Sequence, residues 1–174
     1  MIHRSPPTWS VPVRLAEVPE NGLRFDLAAD AAIRTALARA TGANAVPRLE
    51  ARFEVTRSGR DGLHVTGSVS ATVRQTCVVT LEPVENEIEE RVDLTYVAGR
   101  EESGVPARDE ALGEREPPET LVNGSVDLGA VATEFLILGI DPYPRKAGAV
   151  FAAPESDDAA DHPFAALAAL KKRG

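Results

Sequence analysis

The pattern of apolar and polar residues is most regular between residues 63 and 97, where it predicts two long β-strands. From residue 63 to 73 every second position is apolar or glycine and the others are polar, as in a strand with one buried face. Glu82 and Pro83 interrupt the pattern, because proline has no amide hydrogen to donate to a ladder. The alternation then resumes with charged residues facing outward. We therefore expect a strand, a turn and a second, highly charged strand.

Two further strands and a tight turn are predicted before this pair. Residues 49–56 alternate apolar and polar side chains, and residues 58–62 contain the glycines and polar residues of a turn. A hairpin with the central strand is therefore expected. Residues 8–16 carry apolar side chains at strand spacing, and Pro12 suits a strand at the edge of a sheet.

Three helices are predicted from capping residues and apolar spacing. Asp26 is placed to cap the first helix, which would end before Gly42. Ser125 or Asp127 is placed to cap the second helix, which carries large apolar residues along one side. A short third helix is expected to begin near Pro163.

The length of 174 residues, 43% of them apolar, is enough for one sizeable core, so we expect a single domain spanning residues 1–174. Residues 98–119 combine paired acids with prolines, which predicts an acidic mobile loop. Residues 147–160 predict a linker before the C-terminal helix. The expected fold class is α+β, with an antiparallel, partly barrel-like sheet of four to five strands and about three helices.

The net charge of −8 is concentrated in one segment. Residues 82–119 contain 13 acidic and 4 basic side chains, whereas residues 1–81 contain 7 acidic and 10 basic ones. This excess of acid disfavours nonspecific binding to a phosphate backbone, which depends on clustered Lys and Arg. It favours a basic protein partner, or contact with RNA that is confined to the less acidic faces.

Other classes of protein fit the sequence poorly. The first residues do not resemble a signal peptide and no apolar stretch of about 18 residues is present, so a cytoplasmic protein without a membrane partner is expected. A single cysteine excludes an internal disulfide, and with three histidines it matches no usual zinc pattern. We therefore expect neither a metal nor a cofactor. The acidic charge also leads us to expect no DNA partner.

Cys77 is the strongest candidate for a nucleophile, but a thiol packed inside the sheet is the simpler interpretation, because unassisted thiols are often buried and inert. His64 is a poor candidate for its base. The two residues are 13 positions apart, which corresponds to roughly 43 Å along a continuous strand. Catalysis by Cys77 would therefore need a base that the sequence does not indicate.

Two groups of residues are candidates for binding a partner. The acidic side chains of the second long strand are interpreted as a solvated face or a docking surface for a basic partner, rather than as an acid–base pair. These residues are Glu85, Glu87, Glu89 and Glu90. Tyr143 with Arg145 and Lys146 provides a stacking aromatic and two cations, which suit RNA, although a stiff connector explains them equally well.

Residues 77–84, Cys-Val-Val-Thr-Leu-Glu-Pro-Val, resemble the signature of the YceD-like family, a bacterial and plastid domain. In many members the signature contains two cysteines in the pattern C-x-x-C-L-x-P-V. The first cysteine falls on Cys77, and Thr80 occupies the position of the second. The remaining signature residues are Leu81, Pro83 and Val84. In members with paired cysteines the site could hold a metal or a redox pair, and Thr80 removes half of it.

Two later runs are similar to further blocks of this family. Residues 126–136 resemble its helical block, with Asp127, Leu128 and Glu134 at the matching positions, and residues 141–146 resemble its third block. The resemblance implies a noncatalytic factor that supports large ribosomal subunit production and accumulation of large-subunit ribosomal RNA. Its expected partner is that RNA or a basic ribosomal protein. The alternatives are an acidic interaction module unrelated to ribosomes and a thiol-dependent enzyme that uses Cys77.

Overall fold

The computed structural model describes residues 9–98 and 118–151, which form two β-sheets and two α-helices. The strands are β1 (Pro12–Arg14), β2 (Leu23–Ala28), β3 (Ala45–Ser58), β4 (Gly62–Thr76), β5 (Pro83–Ala98), β6 (Glu119–Leu121) and β7 (Ser125–Asp127). The helices are α1 (Ala31–Thr41) and α2 (Leu128–Gly139). A single 3-10 turn follows β1 at Leu15–Glu17. None of the described helices is long and apolar enough to cross a membrane.

The main sheet is built on the three long strands β3, β4 and β5. A tight turn pairs Ser58 with Gly62, so that β3 and β4 form the predicted hairpin. β4 then pairs with β5 along its whole length, from Gly62 opposite Val97 to Thr76 opposite Pro83. Among the described residues the order is β2-β3-β4-β5-β6, and β6 joins β5 through three parallel residue pairs.

Strand alternation buries one face of this sheet and leaves the other polar. The inward residues of β4 are fully buried, and they are Leu63, Val65, Val69, Ala71 and Val73. Gly67 continues this row without a side chain, because a Cβ there would overlap the carbonyl oxygen of Arg52. α1 packs against β3, and α2 packs against β4 and β5. The outward, mostly polar side chains of β3, β4 and β5 form what we call the open face.

The α+β class is confirmed, but the predicted sheet is wrong in its details. In the part of the chain that the structure describes, the sheet is mixed because β6 runs parallel to β5, and it does not close into a barrel. The described residues contain two α-helices instead of about three. The third predicted helix lies outside the described residues, as do residues 99–117 of the predicted loop and 152–160 of the predicted linker.

The expected start of the first helix is also wrong. Asp26 lies in β2, and the helix is capped instead by Asp30, whose side chain accepts the Ile33 N–H at 2.8 Å. The apolar residues from 23 to 27 alternate with polar ones, so this stretch pairs with β3 as an edge strand before the helix begins. The helix ends at Gly42, whose φ of 70° suits a glycine terminator, as the sequence predicts.

The predicted N-terminal strand is present but shorter than expected, and it lies in a second, two-stranded sheet apart from the main one. β1 contains only Pro12–Arg14 and pairs antiparallel with β7, which directly precedes α2. Asp127 ends β7 and is the N-cap of α2, one of the two caps expected from the sequence. Its Oδ1 accepts N–H bonds from Gly129 at 3.0 Å and from Val11 at 2.7 Å. One carboxylate therefore fixes both α2 and the N-terminal segment.

Candidate functional site at the turn between β4 and β5

β4 and β5 are joined by residues 77–82, which we call the Cys77 turn. Cys77 donates its N–H to the Glu82 carbonyl at 2.8 Å, and Leu81 donates its N–H to the Cys77 carbonyl at 3.0 Å. Leu81 has a positive φ of 59°, a conformation that non-glycine residues rarely adopt. The side chain of Leu81 points away from the core and is 76% exposed. Bonds around the turn therefore hold an unfavourable backbone conformation in place.

The Cys77 thiol is fully buried inside this turn, and backbone amides surround its sulfur. Sγ accepts N–H bonds from Lys146 at 3.3 Å and from Val79 and Thr80 at 3.4 Å each. These donors stabilise the thiolate, so they lower the pKa of Cys77 to about 6 against the opposing effect of burial. The N–H of Lys146 contributes most, followed by the Thr80 hydroxyl. The turn and the strap therefore favour the thiolate form of Cys77.

Residues 141–146, which we call the C-terminal strap, lie against the Cys77 turn. The Val78 N–H donates to the Pro144 carbonyl at 2.9 Å, and Gln75 Nε2 donates to the Asp141 carbonyl at 2.9 Å. The bond from Lys146 to Cys77 joins positions that are 69 residues apart. The first and third family-like segments of the sequence therefore meet at one site.

An ion pair joins the strap to the turn at the surface. Lys146 Nζ lies 2.8 Å from Glu82 Oε2, with about half of each side chain exposed. The hydrogen bond and charge of Lys146 lower the pKa of Glu82, and the same contacts, with the Cys77 thiolate, raise the pKa of Lys146. Tyr143 and Arg145 are exposed on the strap. Of the three strap residues predicted to bind RNA, Lys146 is therefore already engaged with a carboxylate.

The site stabilises a thiolate, but His64, the only histidine among the described residues, does not lie beside it. His64 Nε2 lies 2.7 Å from Asp93 Oδ1, toward the opposite end of the hairpin from the Cys77 turn. Within residues 9–98 and 118–151, no group of three or more His, Cys, Asp or Glu side chains is placed to hold a metal ion. Thr80, at the position of the second family cysteine, contributes a hydroxyl beside the sulfur instead of a second thiol.

The second family-like segment forms α2, which packs behind the hairpin. Leu128 is fully buried, whereas Glu134 is exposed. Burial, with the nearby carboxylates of Glu119 and Glu134, raises the pKa of Tyr96, which lies in the buried row of β5. Gly139, the last residue of α2, lies so close to Ile88 of β5 that a Cβ there would overlap it. These residues therefore position the helix on the hairpin.

The remaining signature residues begin β5, and the acidic candidates follow them. Pro83 is exposed and Val84 is half-buried. Three of the four acids project from the open face, and they are Glu85, Glu87 and Glu89. Glu90 has the opposite parity and faces α2, where it lies close to Gly139. The four predicted residues therefore do not form one surface.

Two of the open-face acids are bonded to neighbouring strands. Glu85 Oε2 lies 2.7 Å from Arg74 Nε on β4. Glu87 accepts the Thr72 hydroxyl at 2.7 Å and Arg48 Nη2 at 2.8 Å, and these contacts, Thr72 first, lower its pKa. Sequence reasoning did not single out these partners, although strand register opposite Glu85 and Glu87 indicates both β4 residues. Glu89 makes no hydrogen bond or ion pair with any other described residue.

These features define a class of protein: an α+β domain whose long charged hairpin is tied at its turn by a C-terminal strap. The chain belongs to the YceD family, because the family model described as "Large ribosomal RNA subunit accumulation protein YceD" matches residues 65–171. That span includes the Cys77 turn, α2 and the strap, so the assignment made from the motifs is confirmed. No curated protein and no solved structure matches the chain. The family name denotes a role in accumulation of the large ribosomal RNA subunit.

Proposed function

We propose that this protein is a noncatalytic factor that supports large ribosomal subunit biogenesis and the accumulation of large-subunit ribosomal RNA. Membership of the YceD family is the reason for proposing a role in this process. The Cys77 site supports the noncatalytic part of the proposal, because its thiolate is fully buried and held by backbone amides of the turn and strap. The sulfur of Cys77 fastens the turn to the strap through these N–H bonds, and the hairpin is the part that contacts a partner.

The observation that carries our choice of partner is the charge of β5. This strand contains five acidic residues and one basic residue, and its outward side chains are exposed. Such a surface attracts a basic protein and repels a phosphate backbone. We therefore infer that the protein contacts a basic ribosomal protein. Direct RNA contact through Tyr143 and Arg145 is the competing mode, favoured by the exposed aromatic ring beside a cation.

A nuclease-treated pulldown distinguishes these two modes. Affinity-tagged protein would be recovered from growing cells, and half of the sample would be digested with ribonuclease before washing. A basic ribosomal protein should remain bound after digestion, and its recovery should fall as the salt concentration rises. Loss of all ribosomal material on digestion would contradict protein contact and favour RNA. Recovery of only nonribosomal partners would support the alternative of an unrelated acidic interaction module.

Two variants of the protein allow the pulldown to distinguish the surfaces used in each mode. Replacement of both Tyr143 and Arg145 by alanine removes the exposed aromatic and its neighbouring cation, while the bond from Lys146 to Cys77 is kept. Glu89→Gln removes an acid without disturbing any bond of the described residues. Contact with a basic protein predicts that only Glu89→Gln weakens recovery, whereas contact with RNA predicts that only the double variant does.

A further inference from the structure

The outer edge of β5 is defined by the direction of its backbone groups. Glu82, just before the strand, is hydrogen-bonded to Cys77, and Ala98, its last residue, is hydrogen-bonded to Asp61, at 2.8 Å each. Cys77 and Asp61 directly flank β4. Hydrogen-bonded positions alternate along an antiparallel pair. The even-numbered residues of β5 therefore point their N–H and C=O groups toward β4, and the odd-numbered residues point theirs away. The resulting β5 outer edge consists of the backbone groups of Glu85, Glu87, Glu89, Arg91 and Asp93.

This edge has no strand partner among the described residues. β6 pairs with β5 only from Tyr96 to Ala98, so the odd-numbered positions from 85 to 93 lie beyond it. Their N–H groups point away from β4, and outside the strand ladders none of them donates to the backbone of another described residue. An unpaired edge of this length is a template for another strand, and proteins commonly protect such edges from association. β2, the opposite edge of the sheet, is much shorter, with six residues against sixteen.

The side chains along the β5 outer edge restrict which strand can pair with it. Glu85, Glu87 and Glu89 project from the open face at successive outward positions. A second copy of β5 would bring acids opposite acids, and like charges directly across a strand pair are destabilising. A strand with Lys or Arg at alternate positions would bring opposite charges together instead. Glu89, which is unbonded within the described residues, is the acid most available to such a strand.

The opposite side of the edge is less polar. Gly139 touches Ile88 and Glu90, so the C-terminal end of α2 lies beside the same stretch of β5. Ile137 and Leu138 in this part of the helix are large apolar residues with 52% and 70% exposure. A strand added to β5 would alternate in the same way as β5, with one set of side chains on the open face and the other toward α2.

We propose that the β5 outer edge binds an extended segment of a partner protein as an added antiparallel strand, with basic residues on the open face and apolar residues toward α2. This inference rests on the proposed contact with a basic ribosomal protein and adds the mode of binding. Backbone hydrogen bonds give affinity in this mode, and the alternating side chains give specificity. The acids of β5 then exclude self-pairing and select the partner.

Synthetic peptides test the backbone contribution separately from charge. The probe is a short peptide of alternating lysine and valine, compared with the same peptide N-methylated either on its lysines or on its valines. In an antiparallel strand with lysines on the open face, the lysine N–H groups bond to β5 and the valine N–H groups point away. N-methylation of lysine should therefore weaken binding by about 10-fold or more, and N-methylation of valine should change it little. Equal affinity of all three peptides would overturn strand addition.

Position 91 gives the matched test in the protein. Its N–H points away from β4, so Arg91→Pro removes an outward donor without removing a bond to β4, and proline is tolerated at sheet edges. Arg91→Ala removes the same positive charge but keeps the N–H. We expect Arg91→Ala to bind the lysine–valine peptide as well as or better than wild type, and Arg91→Pro to bind about 10-fold more weakly. If both variants bind more tightly, charge alone drives the contact.

Hydrogen exchange identifies the binding surface and also shows whether a variant is correctly folded. The wild-type amides of Glu87, Glu89 and Arg91 should become protected when the peptide binds, while the even-numbered amides of β5 are already protected without it. Preserved protection of those even-numbered amides in Arg91→Pro would show that the hairpin is intact. A basic ribosomal protein recovered equally by wild type and Arg91→Pro, with no protection of the β5 outer edge, would overturn the binding mode while leaving the proposed function standing.

Discussion

The two ends of the β4–β5 hairpin use acidic residues differently from its middle. Near the turn, Glu82, Glu85 and Glu87 are each bonded to a basic side chain of the same chain. At the far end, Asp93 contacts His64. In the middle, Glu89 has no such bond among the described residues. The acidic composition of β5 therefore contains carboxylates that hold strands together and at least one that is available to a partner.

This difference separates stability from association. Replacing a bonded carboxylate should affect folding, because it removes hydrogen bonds as well as charge. Replacing Glu89 should affect only encounters with other molecules. A variant that changed Glu85, Glu87, Glu89 and Glu90 together would mix the two effects. Single substitutions keep the two effects apart.

The largest effect is expected at Asp127, whose carboxylate has the most partners. Oδ1 accepts three N–H bonds, from Val11, Gly129 and Ala130, and Oδ2 accepts the Ser10 hydroxyl at 2.6 Å. Asp127→Ala should lower the free energy of unfolding by about 2–4 kcal/mol, measured by urea denaturation. Asp127→Asn is the matched control, since its amide oxygen can still accept the three N–H bonds. Equal stability of Asp127→Ala and wild type would contradict this role.

A pH-dependent effect, smaller than that of Asp127 at neutral pH, is expected at Cys77. The pKa of its thiol is about 6 in the folded protein and 9.0 in an unperturbed cysteine, so between these values the unfolded chain binds more protons. The stabilisation is fully present above pH 9, falls as the pH decreases, and is absent below about pH 6. The Tm of wild type should therefore rise from pH 6 to 9 relative to that of Cys77→Ser. Parallel Tm profiles for the two proteins would show that the thiolate is not stabilised.

A modest loss of stability is expected at Glu87. Gln at this position can still accept the Thr72 hydroxyl but cannot form the ion pair with Arg48. Because the pKa of Glu87 is lowered, its stabilisation is present above the ordinary value of 4.5 and is lost as the pH falls through the lowered pKa. Glu87→Gln should thus have a lower Tm at neutral pH, with the gap closing in acid. The same gap at all pH values would indicate packing instead of charge.

The smallest effect on stability is expected at Glu89. Glu89→Gln should leave the free energy of unfolding within about 0.5 kcal/mol of wild type, because the side chain is exposed and unbonded in the described part of the chain. Its affinity for a basic peptide should fall, and the difference should shrink at high salt. Glu54→Gln removes one acid from the open face of β3, where Glu54 is paired with Arg24 at 3.4 Å, and serves as the control for loss of a single charge away from β5. Equal peptide affinity of Glu89→Gln and wild type would make Glu89 part of a solvated face only.

The parts of the fold that depend on local patterns could be predicted from the sequence. The β3–β4 hairpin follows from alternation and a short turn, and the sequence limited the cap of α2 to Ser125 or Asp127. Which strands pair beyond that hairpin could not be predicted. Asp26 was misassigned because an edge strand and a helix start both combine apolar and polar residues at short range. Only the pairing of β2 with β3 shows that this stretch is an edge strand and not the start of a helix.

The candidate site could be predicted only in part. The family motif identified Cys77, and the sequence favoured a buried thiol, which the structure has. The sequence did not indicate the lowered pKa of that thiol, because its main donor is the backbone N–H of Lys146. Every residue except proline has a backbone N–H, so residue identity does not indicate which one will bond to the sulfur. This contact across 69 positions is therefore visible only in the folded structure. The choice among the β5 acids likewise required the strand register.

The most direct test of the central claim is the ratio of ribosomal subunits in cells that lack this protein. Sucrose-gradient profiles would be compared between the parent, the deletion strain and the deletion strain complemented with wild type. A factor for large-subunit biogenesis predicts a reduced large-subunit peak relative to the small-subunit peak, restored by wild type. An unchanged ratio in the deletion strain would contradict the account, whatever partner the β5 outer edge binds.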